Sequence, residues 1–207
     1  MRVIGIDPGT AIVGFGIIDY TKGKYKVVDY GCIYTSKDLS MEKRIAVIYD
    51  ELDEILKKYL PTHMAVEDLF YFKNAKTVIS VGQARGVIVL CGEKNNIPQV
   101  SFTPLQIKMG ITGYGRAEKK QVQLMVQRIL GLSEIPQPDD AADALAIAIT
   151  HINSLNSGYI MASKPNFSKK SSIKNGKISA AEYRNLINKK DWFLCLKTWT
   201  THQWIHT

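Results

Sequence analysis

Three strand-forming runs crowd into the first 35 residues, and they constrain the fold more than any other feature of the chain. "RVIGID" (2–7) is apolar almost without a break up to one acid and reads as a short buried strand. "GFGIIDY" (14–20) and "YKVVDYGCIYT" (25–35) read as the next two strands, joined through "TKGK", a glycine-containing hairpin turn. Strands linked this tightly pair antiparallel. From there the pattern alternates. "SMEKRIAVIYDELDEILKKYL" (40–60) is an amphipathic helix with Ser40 as its expected N-cap, Lys57 and Lys58 in its last turn and Pro61 beyond. "HMAVED" is a fourth strand ending at Glu67, residues 77–94 are helical, and "IPQVSFT" is a fifth strand. A short helix over 104–110 leads into a glycine-rich loop, "GITGYGRAEKK", then the helix "KKQVQLMVQRIL". A Pro-punctuated loop, "LSEIPQPD", precedes a final Ala-rich helix, "DDAADALAIAITHINSL". The expected fold class is α/β, a mixed sheet of about five strands with the first three antiparallel and helices on both faces.

Past residue 157 the pattern fails. "NSGYIMASKPNFSKKSSIKNGK" has the composition of a linker or a disordered segment, and "SAAEYRNLINKK" could make one short helix. The expected division is therefore a domain over 1–157 and a basic tail over 158–207. The net charge of +8 follows that division: the tail holds nine Lys/Arg against two Asp/Glu, the rest eighteen against seventeen. Bulk charge thus does not make the main domain a polyanion binder, and local clusters must carry any such reading. No apolar run reaches the roughly 18 residues that span a bilayer, and Asp7 interrupts the place where a signal peptide would need an apolar segment. Cys32, Cys91 and Cys195 make no paired framework, so a reducing cytosol is the expected compartment, with no membrane partner.

Four acids stand out by position. Asp7 closes the first strand and Glu67 the fourth; Asp140 and Asp143 lie three apart on the last helix and share a face. That helix is otherwise rich in small residues, Ala141, Ala142, Ala144, Ala146 and Ala148, which would let it sit close to a sheet and carry its acids to the strand ends. Four carboxylates brought together repel unless cations neutralise them, and hard oxygen ligands suit Mg²⁺ or Mn²⁺ rather than zinc. Each acid alone could equally be a turn or helix-capping residue, and Asp139, four before Asp143, shares its face too. Asp7 with "PGT" could also open a nucleotide-phosphate loop. For a polyanion, the loop after Glu67 offers stacking and charge in Phe70, Tyr71, Phe72, Lys73 and Lys76. A second cluster, Lys108, Arg116, Lys119 and Lys120, surrounds the glycine-rich loop, where backbone N–H groups could meet a phosphate at a helix N-terminus.

"GIDPGT", "AVEDLFYFKNAKT", "GQARGV", "GYGRAEKKQVQ" and "PDDAADALAIAITH", in this order and spacing over residues 1–155, resemble the RuvC family of Holliday-junction resolvases, whose fold is RNase H-like. The resemblance implies a homodimeric endonuclease that places paired nicks in a four-way DNA junction with Mg²⁺, for which Mn²⁺ can substitute, two ions serving each site. It carries the catalytic and metal-holding acids onto Asp7, Glu67, Asp140 and Asp143, with the "DAAD" block selecting Asp140 over Asp139 as third ligand and Asp139 left as a possible substitute. It makes Phe70 a wedge or stacking residue at the opened junction, with Lys73 and Asn74 steadying the backbone beside it. Lys108 and Lys119 would lie near the scissile phosphate, Lys119 steadying charge in the reaction. It implies dimerisation through "VISVGQARGVIVL", where Gly82 and Gly86 permit close helix approach, and a branch-migration helicase as partner.

Two competing readings stand beside this one. An actin-like nucleotide-binding protein would need a second lobe, and residues 104–150 contain no strand pair to build it. A non-catalytic junction-binding module would lack one of the acids. In the tail, His202 and His206 with Cys195 have a spacing that could suggest zinc, without a fourth ligand.

Overall fold

The computed structural model describes residues 1–68 and 75–156, with the side chains of 75–77 left aside. Phe70, Tyr71, Phe72, Lys73, Asn74, the Lys76 side chain and everything expected of the tail after residue 156 lie outside the described residues.

The chain builds β1 (Arg2–Asp7), β2 (Ile12–Thr21), β3 (Lys24–Tyr34), α1 (Met41–Tyr59), β4 (His63–Glu67), α2 (Ala75–Lys94), β5 (Gln99–Phe102), α3 (Pro104–Thr112), α4 (Lys119–Leu130) and α5 (Asp139–Asn156). The five strands form one sheet in the order β3-β2-β1-β4-β5. β1–β2 and β2–β3 are antiparallel, whereas β4 and β5 add in parallel on the other side of β1. The β2–β3 turn uses Lys22 and Gly23, both at positive φ, which matches the right-handed twist of the strands it joins.

Side chains alternate across the sheet with period two, and the core divides accordingly. Ile4, Ile6, Val13, Ile17, Met64 and Val66 face α1 and α2, packing on residues such as Ile48, Leu52, Leu56 and Ile88. Val3, Ile18, Ala65 and Phe102 face the opposite layer of α3, α4 and α5. Helices therefore cover both faces, as expected.

The helix on the second face lies unusually close. A Cβ added at Gly5 would stand 2.1 Å from the Ala144 main-chain oxygen, one at Gly14 2.0 Å from that of Asp140, and one at Gly16 2.8 Å from the Leu145 main-chain nitrogen. The alanines of α5 are half of the reason for this approach. The glycines of β1 and β2 are the other half, and glycine inside a strand is the sequence signal for such an approach.

Ser40 holds the N-cap position of α1 as expected, without a side-chain capping hydrogen bond. Further along, two local details differ. α3 runs to Thr112, two residues beyond the expected 104–110, and closes at Gly113 with φ 70°. Its start is fixed by Thr103, whose Oγ1 accepts from Gln106 N while Thr103 N donates to Gln106 Oε1. The glycine-rich loop is therefore confined to 113–118. At its end Glu118 caps α4, with its backbone N–H given to Gln121 Oε1 at 2.8 Å. A carboxylate-bearing residue therefore stands at the helix end where a phosphate was expected.

Among the described residues no helix is long and apolar enough to cross a membrane.

Candidate active site

Period-two alternation decides where the strand acids point. Val3 packs on the α5 face, so Gly5 and Asp7 of the same strand share it; Ala65 packs there too, so Glu67 follows. β1 and β4 are parallel neighbours in the register Ile6↔Val66, which brings Asp7 and Glu67, one residue further on, to the same rim. α5 starts at Asp139 above that rim because Gly14 lets its first turn touch β2. Asp140 and Asp143 thereby join the strand acids.

The electrostatics report the same convergence. Burial, then the charge of Glu67, a hydrogen bond with Glu67, and the charges of Asp143 and Asp140 push the Asp7 carboxyl up to about 8. Glu67 is raised chiefly by burial and also by Asp143, against the pull of its hydrogen bond with Asp7 and of Lys119. Asp143 is raised by burial despite its bond to Lys119. Asp7 and Glu67 are thus both pushed towards their neutral forms, the response of two carboxyls crowded into a half-buried place.

Asp139 and Asp140 part company here. Asp139 is exposed; its Oδ1 accepts from Gln123 Nε2 at 3.0 Å and its Oδ2 lies 3.4 Å from Lys119 Nζ. Asp140, not Asp139, contributes to the field at Asp7.

Lys119, the first residue of α4, places its Nζ 3.0 Å from Asp143 Oδ2. Burial works against its charge, but its bonds to Asp143 and Asp139 outweigh that and raise its pKa. Lys119, Lys108, Glu67 and Asp143 together line a cleft of ≈ 180 Å³, whose floor is Ile107, Val122 and Ile147. Arg116 and Lys120 are exposed and outside this lining. On α2, Gly82 is half-buried and Gly86 is exposed, with open space where a Cβ would go.

The donor set fits a hard divalent cation: four carboxylates from three elements, with one ammonium already standing against Asp143. Among the described residues no three acid, histidine or cysteine side chains are closed around one point as a finished shell. The Lys119 ammonium instead supplies positive charge beside Asp143. Cys32, near Asp140 and Asp7, has its thiol raised by burial first and by those charges next, which favours the neutral thiol.

The sequence reading missed the strand glycines Gly5, Gly14 and Gly16, the contact of Gln123 with Asp139, and Arg85, whose guanidinium reaches the main chain of Glu67. The glycines were visible as glycine inside strand sequence. The two side-chain contacts join residues 16 and 18 apart in sequence and had no local signal.

Comparison with known proteins bears on the same region. The family described as "Crossover junction endodeoxyribonuclease RuvC" matches residues 3–151. A relative of that name from Fusobacterium nucleatum subsp. nucleatum is 67% identical over 191 residues, 91% of this chain and 100% of the relative. Among solved structures, "Thermus thermophilus RuvC structure" is 34% identical with a TM-score of 0.72, covering 77% of this chain and 98% of that one. "T. thermophilus RuvC in complex with Holliday junction substrate" is 31% identical with a TM-score of 0.71 over the same shares.

Proposed function

The chain belongs to the RuvC family of crossover junction endodeoxyribonucleases, and from that membership we propose that its cleft resolves four-way DNA junctions, with Asp7, Glu67, Asp140 and Asp143 holding divalent cations. The convergence of these four carboxylates on one rim of the sheet carries the reading. Mg²⁺ is the natural ion, with Mn²⁺ a substitute and two per site. When bound, such ions activate a water and neutralise the leaving oxygen in an in-line phosphoryl displacement.

The chain's own residues do the rest. Asp7 and Glu67 would hold a cation as carboxylates beside Asp140 and Asp143. Lys119, which stands 3.0 Å from Asp143, would hold a non-bridging phosphate oxygen and steady the charge that builds there. Lys108, which lines the same cleft, holds the strand beside it. Asp139, engaged by Gln123, stays outside the ligand set.

The DNA surface is completed by Phe70, Tyr71, Lys73, Asn74 and Lys76 after Glu67, with Arg116 and Lys120 as outer phosphate contacts. The nuclease domain spans 1–157, and the basic tail over 158–207 adds non-specific affinity.

A second copy of the chain packs on α2, so that two sites meet the two strands of a two-fold junction. The exposed face of that helix supports this: Ile79 is 64% and Leu90 50% exposed, with Gly86 open between them. A branch-migration helicase delivers the junction, and the cytoplasm is where this takes place.

The test is a nicking assay on a four-way junction. Paired nicks with Mg²⁺, none with EDTA and none with Asp7→Asn are expected. Nicking by Asp7→Asn at the parent's rate would refute the site.

A further inference from the structure

Arg85 on α2 ties that helix to the catalytic rim through its hydrogen bonds. Its neighbours Ala84 and Ile88 bury the helix against the sheet, while its own side chain remains 22% exposed and runs to the end of β4. There its Nε donates to the main-chain oxygen of Glu67 at 3.2 Å. Its Nη2 donates to Ser101 Oγ on β5 at 2.6 Å and lies 3.1 Å from Asp68 Oδ1. β4 and β5 pair in the register Val66↔Ser101 and Glu67↔Phe102, and Asp68 N continues the ladder to Phe102 O at 2.8 Å. One planar guanidinium therefore grips both strands at the position where Glu67 leaves the sheet.

We propose that Arg85 is a positioning residue that fixes the peptide carrying Glu67, and so sets the aim of the Glu67 carboxylate towards Asp7. Its hydrogen bond goes to the Glu67 main-chain oxygen, so it acts on the backbone that carries the carboxylate. A fork with several fixed donors satisfies a carbonyl, a hydroxyl and a carboxylate at once; a lysine carries the same charge on a flexible stem and does not reproduce that plane. Because α2 also offers the face proposed for a second copy, the same side chain links that face to one acid of the cleft.

This inference rests on Glu67 being one of the metal-holding acids, and the experiment separates the two. Arg85→Ala, Arg85→Lys, Ser101→Ala and Glu67→Gln are compared with the full-length parent in single-turnover cleavage at saturating junction, junction affinity in EDTA, sedimentation, and Mn²⁺ binding followed by the free-ion electron paramagnetic resonance signal. Arg85→Ala is expected to slow cleavage more than about tenfold and weaken Mn²⁺ binding several-fold, with junction affinity and oligomeric state within about twofold of the parent. Arg85→Lys should fall nearly as far, and Ser101→Ala should lie between. Cleavage within twofold of the parent for Arg85→Ala, or full rescue by Arg85→Lys, overturns the proposal. So does equal loss of junction affinity and cleavage. If Arg85→Ala does not fold, Arg85→Lys and Ser101→Ala decide: parent-like rates and Mn²⁺ binding in both overturn the proposal, and a fall in both supports it. Active Glu67→Gln would instead refute the assignment of the site, whatever Arg85 does.

Discussion

Gly14 on β2 and Asp140 on α5 meet backbone to backbone: a Cβ on Gly14 would stand 2.0 Å from the Asp140 main-chain oxygen. Nothing in that contact can yield, since both partners are main chain. The first turn of α5, with its acids, sits at the height it does because position 14 has no side chain. Gly14→Ala must push α5 outwards, at a cost of about 1–3 kcal/mol for overpacking. The melting temperature should fall by about 3–10 °C. Cleavage should fall by more than about 100-fold at temperatures where the variant is folded, since a displacement of 1 Å is costly in a site of this kind. Parent-like cleavage by a folded variant would show that the height of α5 does not matter.

The paired carboxyls give a pH signature without metal. Asp7 keeps its proton up to about 8 in the folded protein, against 3.8 ordinarily. Its contribution to stability is therefore fully present below pH 4 and is lost as pH rises through about 8. Buried His151, lowered to about 4 by burial and then by His63, works the other way: its contribution grows as pH rises towards its ordinary 6.5. The informative quantity is the difference between proteins. In EDTA, Asp7→Asn should gain on the parent between pH 5 and pH 8, by about 3–10 °C in melting temperature at the upper end. Mg²⁺ should narrow that gap. A difference that stays flat across the range would mean that burial and the neighbouring acids do not raise the Asp7 carboxyl.

Asp139 and Asp140 are adjacent in sequence but differently engaged. Asp139→Asn keeps an oxygen for Gln123 and should cleave within about threefold of the parent, whereas Asp140→Asn should lose more than about 1,000-fold in single-turnover rate. The reverse order would make Asp139 the ligand.

Lys119→Ala removes the ammonium from Asp143 while leaving the acids in place. Junction binding in EDTA should stay within a few-fold, because one phosphate contact among many is lost. Cleavage should slow by more than about tenfold, with a larger loss within reach if Lys119 meets the reacting phosphate. A gel-shift titration beside a single-turnover time course distinguishes the two, and equal losses in both would remove Lys119 from the chemistry.

The exposed face of α2 predicts association. Leu90→Lys places a charge where Leu90 is 50% exposed in the single chain, and should turn a dimer at about 10 μM into a monomer by sedimentation velocity without lowering the melting temperature by more than about 3 °C. A parent that sediments as a monomer at that concentration would exclude this face as a dimer surface.

The four acids at the ends of their elements were legible before the fold. An apolar strand ending in Asp7, another ending in Glu67, and a small-residue helix opening on Asp140 and Asp143 are local patterns, set by period and residue size, and they survive in the structure as β1, β4 and α5. The expected order of elements also held, because strand, turn and helix signals act over a few residues. What the sequence alone left open was decided by contacts between distant segments. Whether Asp139 or Asp140 faces Asp7 depends on Gln123 taking one of them and on the rotation of α5 against Gly14. How Glu67 is aimed depends on Arg85 reaching across from another helix. Neighbours along the chain can specify a strand or a helix turn. The azimuth of a helix and the raised pKa of two crowded carboxyls are properties of packing and burial, which exist only once the chain has closed on itself.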